Sequence, residues 1–302
     1  MKAIRRWFLN DSLDLGGVEK DRIDWFRIVP LVLLHIGAFA APLAGISTVA
    51  VLTAVGAYLL RMFAITGFYH RYFSHRAFRT SRPVQFIFAA IAATAAQRGP
   101  LWWASMHRQH HAHTDTASDP HAPLHGVFVS HMGWFLTQQH YGARLDLVAD
   151  WARFPELRWL DRFDAALPIA AATVLFLLGD WLAFAAPSLN TSGWQMLLWG
   201  YCVSTVVLLH VTLFVNSVAH RFGTRRYDTP DQSRNLRWLA WLTLGEGWHN
   251  NHHRFAASAR QGFFPGETDL CHAGLQLLAR VGLLSDLRPV PAKVLREGQV
   301  AK

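Results

Sequence analysis

The chain has 302 residues, of which 52% are hydrophobic, and it contains 13 Trp and 20 Phe residues. This composition is typical of a membrane protein and disfavours two soluble domains, although the length alone would allow them. The net charge of +9 comes from basic residues that are not gathered into one tail or stripe, so we expect anionic lipid headgroups or an anionic substrate carrier as partners, and no nucleic acid.

The N-terminal segment begins with Met-Lys-Ala-Ile-Arg-Arg, like a signal peptide, but the polar residues 11–20 supply no apolar core, so we expect no cleavage. The first apolar block then runs from Ile28 to Leu60 without Asp, Glu, Lys or Arg, and Pro42 and Gly45 interrupt it. A membrane span needs ~20 residues, so the second helix must continue past Leu60. The block predicts a helical hairpin over about residues 28–69.

A second charge-poor block covers residues 165–219 and contains a polar turn at 187–193. It predicts a second hairpin, whereas residues 84–96 are apolar over only about half a span and suit a buried or interfacial helix. All Lys and Arg lie in residues 1–27, 61–162 and 221–302, so the positive-inside rule places the hairpin tips outside and both termini in the cytoplasm. We therefore expect an all-α integral membrane protein, a single domain over residues 1–302. Its four transmembrane helices would carry a cytoplasmic helical cap built from residues 70–164 and 220–302.

Nine histidines fall into four short clusters that follow or precede these apolar blocks. The clusters are His70-Arg-Tyr-Phe-Ser-His75, His107-Arg-Gln-His110-His111, Asn216-Ser-Val-Ala-His220 and His249-Asn-Asn-His252-His253. One zinc ion takes about four ligands, so nine imidazoles exceed one site and suit two ions. The clusters predict a histidine-rich dimetal site in the cap.

The spacing within the clusters suggests how the ligands are presented. Each of the two triads has its histidines at i, i+3 and i+4, which would bring three nitrogens to one face of a helix and so to one small volume. His70 and His75 are about 140° apart around an α-helix, so we expect one of them at a helix end, where it reaches the second ion. Asn216 lies one turn before His220 and could hold a metal-bound water. The spacing leaves open which histidine binds which ion.

The remaining eight histidines are expected to have other roles. His35 and His210 lie in predicted membrane helices and are expected to be hydrogen-bonded structural residues. The other six are expected beside the ligands or on the surface: His113, His121, His125, His131, His140 and His272. Glu246 has two open interpretations. It could be a carboxylate ligand, since it precedes His249 with the Glu-x-x-His spacing of soluble di-iron proteins. Alternatively, it accepts a hydrogen bond that orients a histidine.

In order and spacing, the four clusters resemble the histidine boxes of the membrane fatty acyl-CoA desaturases, specifically the stearoyl-CoA (delta-9) desaturase-like branch. The resemblance covers roughly residues 25–285. Further similarity lies in Asp119-Pro-His121, Ser130-His-Met-Gly-Trp134 and Ser258-Ala-Arg-Gln-Gly262. The resemblance implies a cap holding two non-haem iron ions, with all nine histidines as ligands and Asn216 acting through water. It also implies a reaction in which O₂ and two electrons remove two hydrogens from adjacent methylenes of an acyl chain, giving a cis double bond and water.

The resemblance also implies a tunnel for the acyl chain. Tyr58 and Met62 occupy the positions that set the tunnel floor in the family. Where animal enzymes have Arg-Asp contacting the CoA-bearing end, this chain has Ser105 and Met106. Arg98 could compensate by binding phosphate, or it could be an ordinary surface residue. Acyl-CoA is the preferred carrier, with acyl-phospholipid or another thioester as alternatives.

The segments before residue 28 and after residue 284 are too short for a fused cytochrome domain. The resemblance is therefore to the bacterial type without one, and we expect a separate ferredoxin or cytochrome with its reductase as electron donor and a bacterial inner membrane as location. Two alternatives remain. A membrane di-iron hydroxylase would use similar boxes, and a non-enzymatic metal-binding or transport protein would use the histidines without catalysis.

Overall fold

The computed structural model describes residues 22–300. The expectation that the N-terminus is not cleaved concerns residues outside this range. The structure is almost entirely helical, with the helices α1 Val29–Ala40, α2 Thr48–Ala64, α3 Arg82–Ala93, α4 Pro100–His113, α5 Val127–His131, α6 Ala149–Ala152, α7 Pro155–Arg162, α8 Ala166–Ala185, α9 Gly193–Gln195, α10 Ser204–Ser217, α11 Arg237–Leu242, α12 His249–Arg254, α13 Leu270–Arg280 and α14 Ala292–Val300. Two short strands, β1 Arg79–Thr80 and β2 Leu284–Ser285, pair in antiparallel fashion.

Shorter helical segments join these elements. Two segments are π-helical. Ile65–Ser74 continues α2, and Met196–Val203 connects α9 to α10 without a break. Six 3-10 turns occur within residues 22–300: Ala41–Ala44, Pro123–His125, Gly133–Leu136, Gln138–His140, Leu145–Val148 and Pro187–Leu189.

Within residues 22–300, three continuous helices are long and apolar enough to cross a membrane. They are Thr48–Ser74, Ala166–Ala185 and Gly193–Ser217, with mean hydropathy of 1.8 to 1.9. The first helix of the first expected hairpin is the shorter apolar segment Val29–Ala44. Gly45, at φ 73°, makes the turn after it, and the Ser47 hydroxyl then caps α2 by accepting a hydrogen bond from the Ala50 N–H. Helices thus cover both charge-poor blocks, but Val29–Ala44 is too short for a full span, and the arrangement in two hairpins with four spans stays a prediction.

His35 and His210, the expected structural histidines, form a hydrogen-bonded chain with His131, which was expected beside the ligands or on the surface and instead belongs to this chain. His35 Nδ1 lies 2.8 Å from the Leu31 carbonyl oxygen, and its Nε2 lies 3.0 Å from His210 Nε2. His210 Nδ1 lies 2.9 Å from His131 Nε2, and His131 Nδ1 lies 2.9 Å from Ser217 Oγ. Three neutral imidazoles, each donating once and accepting once, satisfy this whole chain. It ties α1 to α10 and to α5, so the prediction for His35 and His210 is confirmed.

Aromatic rings from several later elements pack onto the π-helical segment Ile65–Ser74, which carries His70. Phe68 stacks on Phe88 of α3 with centroids 4.0 Å apart, and Tyr72 stacks on Phe78 at 5.2 Å. The Trp151 indole N–H donates to the Phe73 carbonyl at 2.8 Å. The segment Ile65–Ser74 is buried throughout. This packing fixes the π-helical backbone that carries His70.

Candidate metal centre

Five of the nine histidines form a first cluster. Their ligand nitrogens lie within 4.8 Å of one another, and the members are His70, His75, His107, His111 and His252. The π segment and the residue after it supply two of them, α4 supplies two and α12 supplies one. Segments far apart in the chain therefore present their imidazoles to one small volume. We call this the five-histidine cluster.

The placement of His75 corrects the expectation that His70 and His75 reach different ions. Residues 65–74 are π-helical, and the His75 N–H donates to the His70 carbonyl at 3.3 Å, an i to i+5 bond. This wider helical turn brings residues five apart onto the same face, which an α-helix would not do. The two Nε2 atoms consequently lie 3.2 Å apart in the same cluster.

The other four histidines form a second cluster beside the first. Its members are His110, His220, His249 and His253. His249 Nε2 lies 2.9 Å from His220 Nε2 and 3.1 Å from His253 Nε2. All four side chains are buried or nearly so. We call this the four-histidine cluster.

The expectation that each triad serves one volume is wrong, because each triad divides between the clusters. In α4, His107 and His111 join the five-histidine cluster and His110 joins the other. In α12, His249 and His253 stay together while His252 crosses over. At about 100° per residue, the i and i+4 side chains lie about 40° apart, whereas i+3 lies about 60° to the other side. Each helix therefore contributes two histidines to one cluster and one histidine to the other.

Hydrogen bonding alone cannot account for the five-histidine cluster. Its Nε2 atoms form a continuous series: His107 to His75 at 2.8 Å, His75 to His70 at 3.2 Å, His70 to His252 at 3.1 Å and His252 to His111 at 2.9 Å. A ring nitrogen either donates one proton or accepts one bond, so an Nε2 with two neighbours always faces one of them unsatisfied. A cation that accepts all five lone pairs removes this conflict. The donor set therefore fits a metal ion.

The number of these nitrogens also bears on the type of ion. Neighbouring Nε2 atoms lie 2.8 to 3.2 Å apart. A tetrahedral zinc site takes four ligands, so five clustered nitrogens exceed it.

Carboxylates contact the Nδ1 atoms of several clustered histidines, whose Nε2 atoms face the cluster. In the four-histidine cluster, the Nδ1 atoms of His110 and His220 face Asp119 at 2.9 Å and Asp115 at 3.1 Å. His253 Nδ1 lies 3.1 Å from Asp231. An Nδ1–H donated to a carboxylate leaves the Nε2 lone pair for a metal and fixes the ring orientation. These contacts select the tautomer that metal binding requires.

The pKa values of these groups agree with neutral imidazoles beside ionised carboxylates. Burial opposes ionisation of Asp119 and Asp231, but hydrogen bonds from His110 and His253 outweigh it and hold both carboxyl pKa values well below their usual range. Burial lowers the pKa of His253 to about 4, although its bond to Asp231 favours the charged form. Neutral imidazole is the form that coordinates metals.

Glu246 orients a histidine in the structure and does not join either group of ligand nitrogens. Its carboxylate contacts His70 Nδ1, and it accepts hydrogen bonds from the Arg71 guanidinium at 3.0 Å and from Gln261 Nε2 at 2.8 Å. Gln261 Nε2 also lies 3.3 Å from His252 Nδ1. Of the two interpretations of Glu246, the geometry supports the hydrogen-bond acceptor. Its Glu-x-x-His spacing is coincidental.

The sequence did not reveal the roles of Asp115, Asp231 and Gln261. Asp115 and its histidine partner are 105 residues apart, and Asp231 is 22 residues from His253. These separations follow no helical period, so spacing carries no signal. A family motif containing Gln261 was visible, but its contact with two histidines follows only from the fold.

A cavity of ≈ 510 Å³ lies against both clusters. His70 and His107 of one cluster and His249 of the other line it, and Asn216 lies on the same wall. Trp102, Trp103, Met62 and Arg98 also line the cavity. Tyr58, expected at the tunnel floor, is not among the lining residues, and its hydroxyl donates to the Leu242 carbonyl oxygen at 2.7 Å. The cavity is thus mainly apolar and touches both histidine clusters, which suits a long aliphatic chain.

Comparisons with known proteins agree with this site. The family model described as "Fatty acid desaturase" matches residues 26–261. The chain is 36% identical to an sn-1 stearoyl-lipid 9-desaturase of Anabaena variabilis, over 89% of this chain and 95% of that protein. It is 38% identical to an sn-2 palmitoyl-lipid 9-desaturase of a Nostoc strain, over 71% and 73% of the two chains. An acyl-CoA 5-desaturase of Anemone leveillei is 34% identical, over 90% of this chain and 81% of the relative.

Proposed function

Because this chain belongs to the fatty acid desaturase family, we propose that it introduces a cis double bond at the delta-9 position of a saturated fatty acyl chain. The observation that carries the proposal is the pair of histidine clusters that both line one apolar cavity. O₂ would be reduced to two waters by two hydrogens of the chain, two electrons and two protons. The protein is an oxidoreductase of lipid metabolism.

We infer that the nine clustered histidines hold two iron ions, one in each cluster. The five-histidine cluster would hold one ion, and the four-histidine cluster would hold the other with a water placed by Asn216. When bound, the iron ions would supply the O₂-derived oxidant that an unactivated C–H bond requires. The protein's own residues position the chain: Met106 and Trp103 line the cavity beside the ligand His107 and exclude water from the reacting carbons.

The membrane arrangement that we propose follows the charge distribution of the chain. The segments 28–69 and 165–219 would each form a transmembrane hairpin within a single domain, giving four spans. The cap, residues 70–164 and 220–302, would face the cytoplasm with both termini, in a bacterial inner membrane. The first span, Val29–Ala44, is short, so it would need local thinning of the bilayer.

Electrons would come from a separate ferredoxin or cytochrome served by a reductase. Of the 29 basic residues, 25 are Arg, and they lie outside the hairpin tips. A basic cap could steer an acidic electron carrier, and the turnover rate should then fall with ionic strength. The relatives include both lipid-linked and CoA-linked desaturases, so the family does not decide the acyl carrier.

The test of this function is mass spectrometry of fatty acids from a host without its own desaturase, with and without the protein. We expect monounsaturated fatty acids, lighter than their precursors by two hydrogens. We also expect about two iron ions per molecule of purified protein. Hydroxylated chains, heavier by one oxygen, would instead establish the hydroxylase alternative. Unchanged lipids with bound zinc would favour a non-enzymatic metal-binding protein.

Replacing Met62 by Ala should shift the preference toward longer acyl chains. The Met62 side chain is 1% exposed and lines the cavity, so its truncation adds space for the chain. Each methylene that a pocket newly accommodates changes the ratio of kcat/KM values by about tenfold or more. Competition between saturated chains of two lengths measures this ratio. Tyr58→Phe removes only the hydrogen bond to Leu242 and should leave the ratio unchanged, and an equal shift in both variants would contradict the assignment.

A further inference from the structure

The cavity reaches the outer surface of the membrane helices, and this position bears on the acyl carrier. Leu33 of α1 and Ile169 of α8 both line it, yet their side chains are 58% and 55% exposed. Pro30 and Pro168 line it on the same two helices. In a bilayer, exposed apolar faces of membrane helices contact lipid tails. The cavity wall is therefore continuous with the lipid-facing surface between α1 and α8.

A group of polar side chains lies at the ends of α1 and α8 nearest the histidine clusters. The guanidinium carbons of Arg27 and Arg98 each lie 3.6 Å from the centroid of the Tyr141 ring. Arg98 donates to Asp164 at 2.7 Å, and Arg27 lies 3.6 Å from a carboxylate oxygen of Asp24. Among residues 22–300, Arg27 and Arg98 are the arginines that line the cavity, and no lysine does. We call this group the mouth of the cavity; its four charged side chains, Arg27, Arg98, Asp24 and Asp164, are two cations and two carboxylates, so their charges balance.

Ser105 and Met106, which directly precede His107 in α4, are both buried. Ser105 is 0% exposed, and its hydroxyl accepts a hydrogen bond from the Arg144 N–H at 3.1 Å. Met106 is 3% exposed and forms part of the apolar cavity wall. A CoA carrier brings several phosphate charges, which usually require unpaired Lys or Arg side chains. A charge-balanced mouth with apolar walls suits an uncharged ester better.

We propose that the acyl chain enters sideways between α1 and α8 while still esterified in a membrane glycerolipid. This inference rests on the proposed desaturase function and replaces acyl-CoA with acyl-lipid as the carrier. The ester would stay beside Arg27, Tyr141 and Arg98, at the depth where α1 and α8 leave the hydrocarbon core. The tail would then pass between the two helices toward His107 and His249. The chemical step at the chain is unchanged.

The order of acylation and desaturation tests the carrier. Host cells expressing the protein are fed labelled stearic acid without O₂, so that the saturated label is esterified into lipids. The precursor is then washed out, an inhibitor of acyl-CoA synthesis is added and O₂ is admitted. Double bonds should appear in the labelled preformed lipids. If the preformed lipids stay saturated while stearoyl-CoA added to the same membranes becomes unsaturated, the carrier inference is overturned and the desaturase function stands. If neither becomes unsaturated, both fall.

A variant on the lipid side tests the entry route. Ile169→Trp places a large ring where the cavity meets the lipid surface and should slow desaturation of preformed lipid by at least about tenfold. Val174→Trp is the matched control, because Val174 is 61% exposed on the same helix but does not line the cavity. Both variants should bind as much iron as the unmodified protein, which shows that the cap is folded. Equal lipid desaturation in the two variants would overturn the lateral route.

Discussion

Replacing His252 by Ala is expected to abolish turnover and to remove about one of the two iron ions. His252 Nε2 lies 3.1 Å from His70 Nε2 and 2.9 Å from His111 Nε2, in the middle of the five-histidine cluster. Loss of a residue that merely orients a ligand typically costs 10–100-fold in metal affinity or activity, so loss of a central ligand should cost at least about a hundredfold. Fatty acid analysis and iron determination on the purified protein measure both effects.

His110→Ala should have the same consequence through the other ion. His110 belongs to the four-histidine cluster and is held by Asp119 at 2.9 Å. Each variant should therefore keep iron in the cluster that it leaves intact. His113→Ala is the matched control, since His113 lies on the same helix but is exposed and should be silent. Full turnover in either ligand variant would show that the assignment of ligands is wrong.

The nine candidate ligands could be selected from the sequence because their spacing is local. Triads at i, i+3 and i+4 beside apolar blocks need no knowledge of tertiary structure. The division of these ligands into two clusters was not predicted, although the sequence contained part of the necessary information. The angles around α4 and α12 already separate His110 from His107 and His252 from His249. What was missing was that the two helices face each other and so exchange these residues.

The π-helical segment explains a second difference between expectation and structure. The sequence Ile-Thr-Gly-Phe-Tyr-His-Arg-Tyr-Phe-Ser contains no Pro, and its pattern alone predicts an ordinary α-helix. The wider turn is fixed by tertiary packing, in which Phe68, Tyr69, Tyr72 and Phe73 are all buried. Tertiary packing of this kind overrides local propensity. It brings His70 and His75 into one cluster.

The ionic support of the site was also outside the reach of sequence patterns. Arg71, next to His70 in the chain, is 1% exposed and binds two carboxylates. Its partners Glu246 and Asp269 are 175 and 198 residues away in the chain. Glu246 in turn contacts His70 Nδ1. A buried cation with two carboxylates therefore connects the five-histidine cluster to the packing of α13.

Replacing Asp269 by Ala should destabilise the protein by about 3–5 kcal/mol, because it leaves a buried guanidinium with one carboxylate instead of two. Asp269 receives both Arg71 Nη1 and Nη2 at 3.0 Å, accepts the Gln261 N–H at 2.7 Å and caps α13 through the His272 N–H at 2.9 Å. The free energy of unfolding, measured in detergent micelles, should fall by this amount. Without Asp269, Glu246 is the only carboxylate left to neutralise Arg71. Its contact with His70 should change as a result, and iron binding should weaken as well.

A matched exposed pair distinguishes burial from the loss of any ion pair. Asp146 binds Arg144 at 2.9 Å, but the two side chains are 61% and 47% exposed. Solvent-exposed pairs contribute about 0–1 kcal/mol, so Asp146→Ala should change neither stability nor iron content measurably. Asp269→Asn keeps the shape and the capping oxygen and should lie between the two. If Asp269→Ala lowered the free energy of unfolding as little as Asp146→Ala, Glu246 alone would neutralise Arg71. The contact between Arg71 and α13 would then contribute no stability.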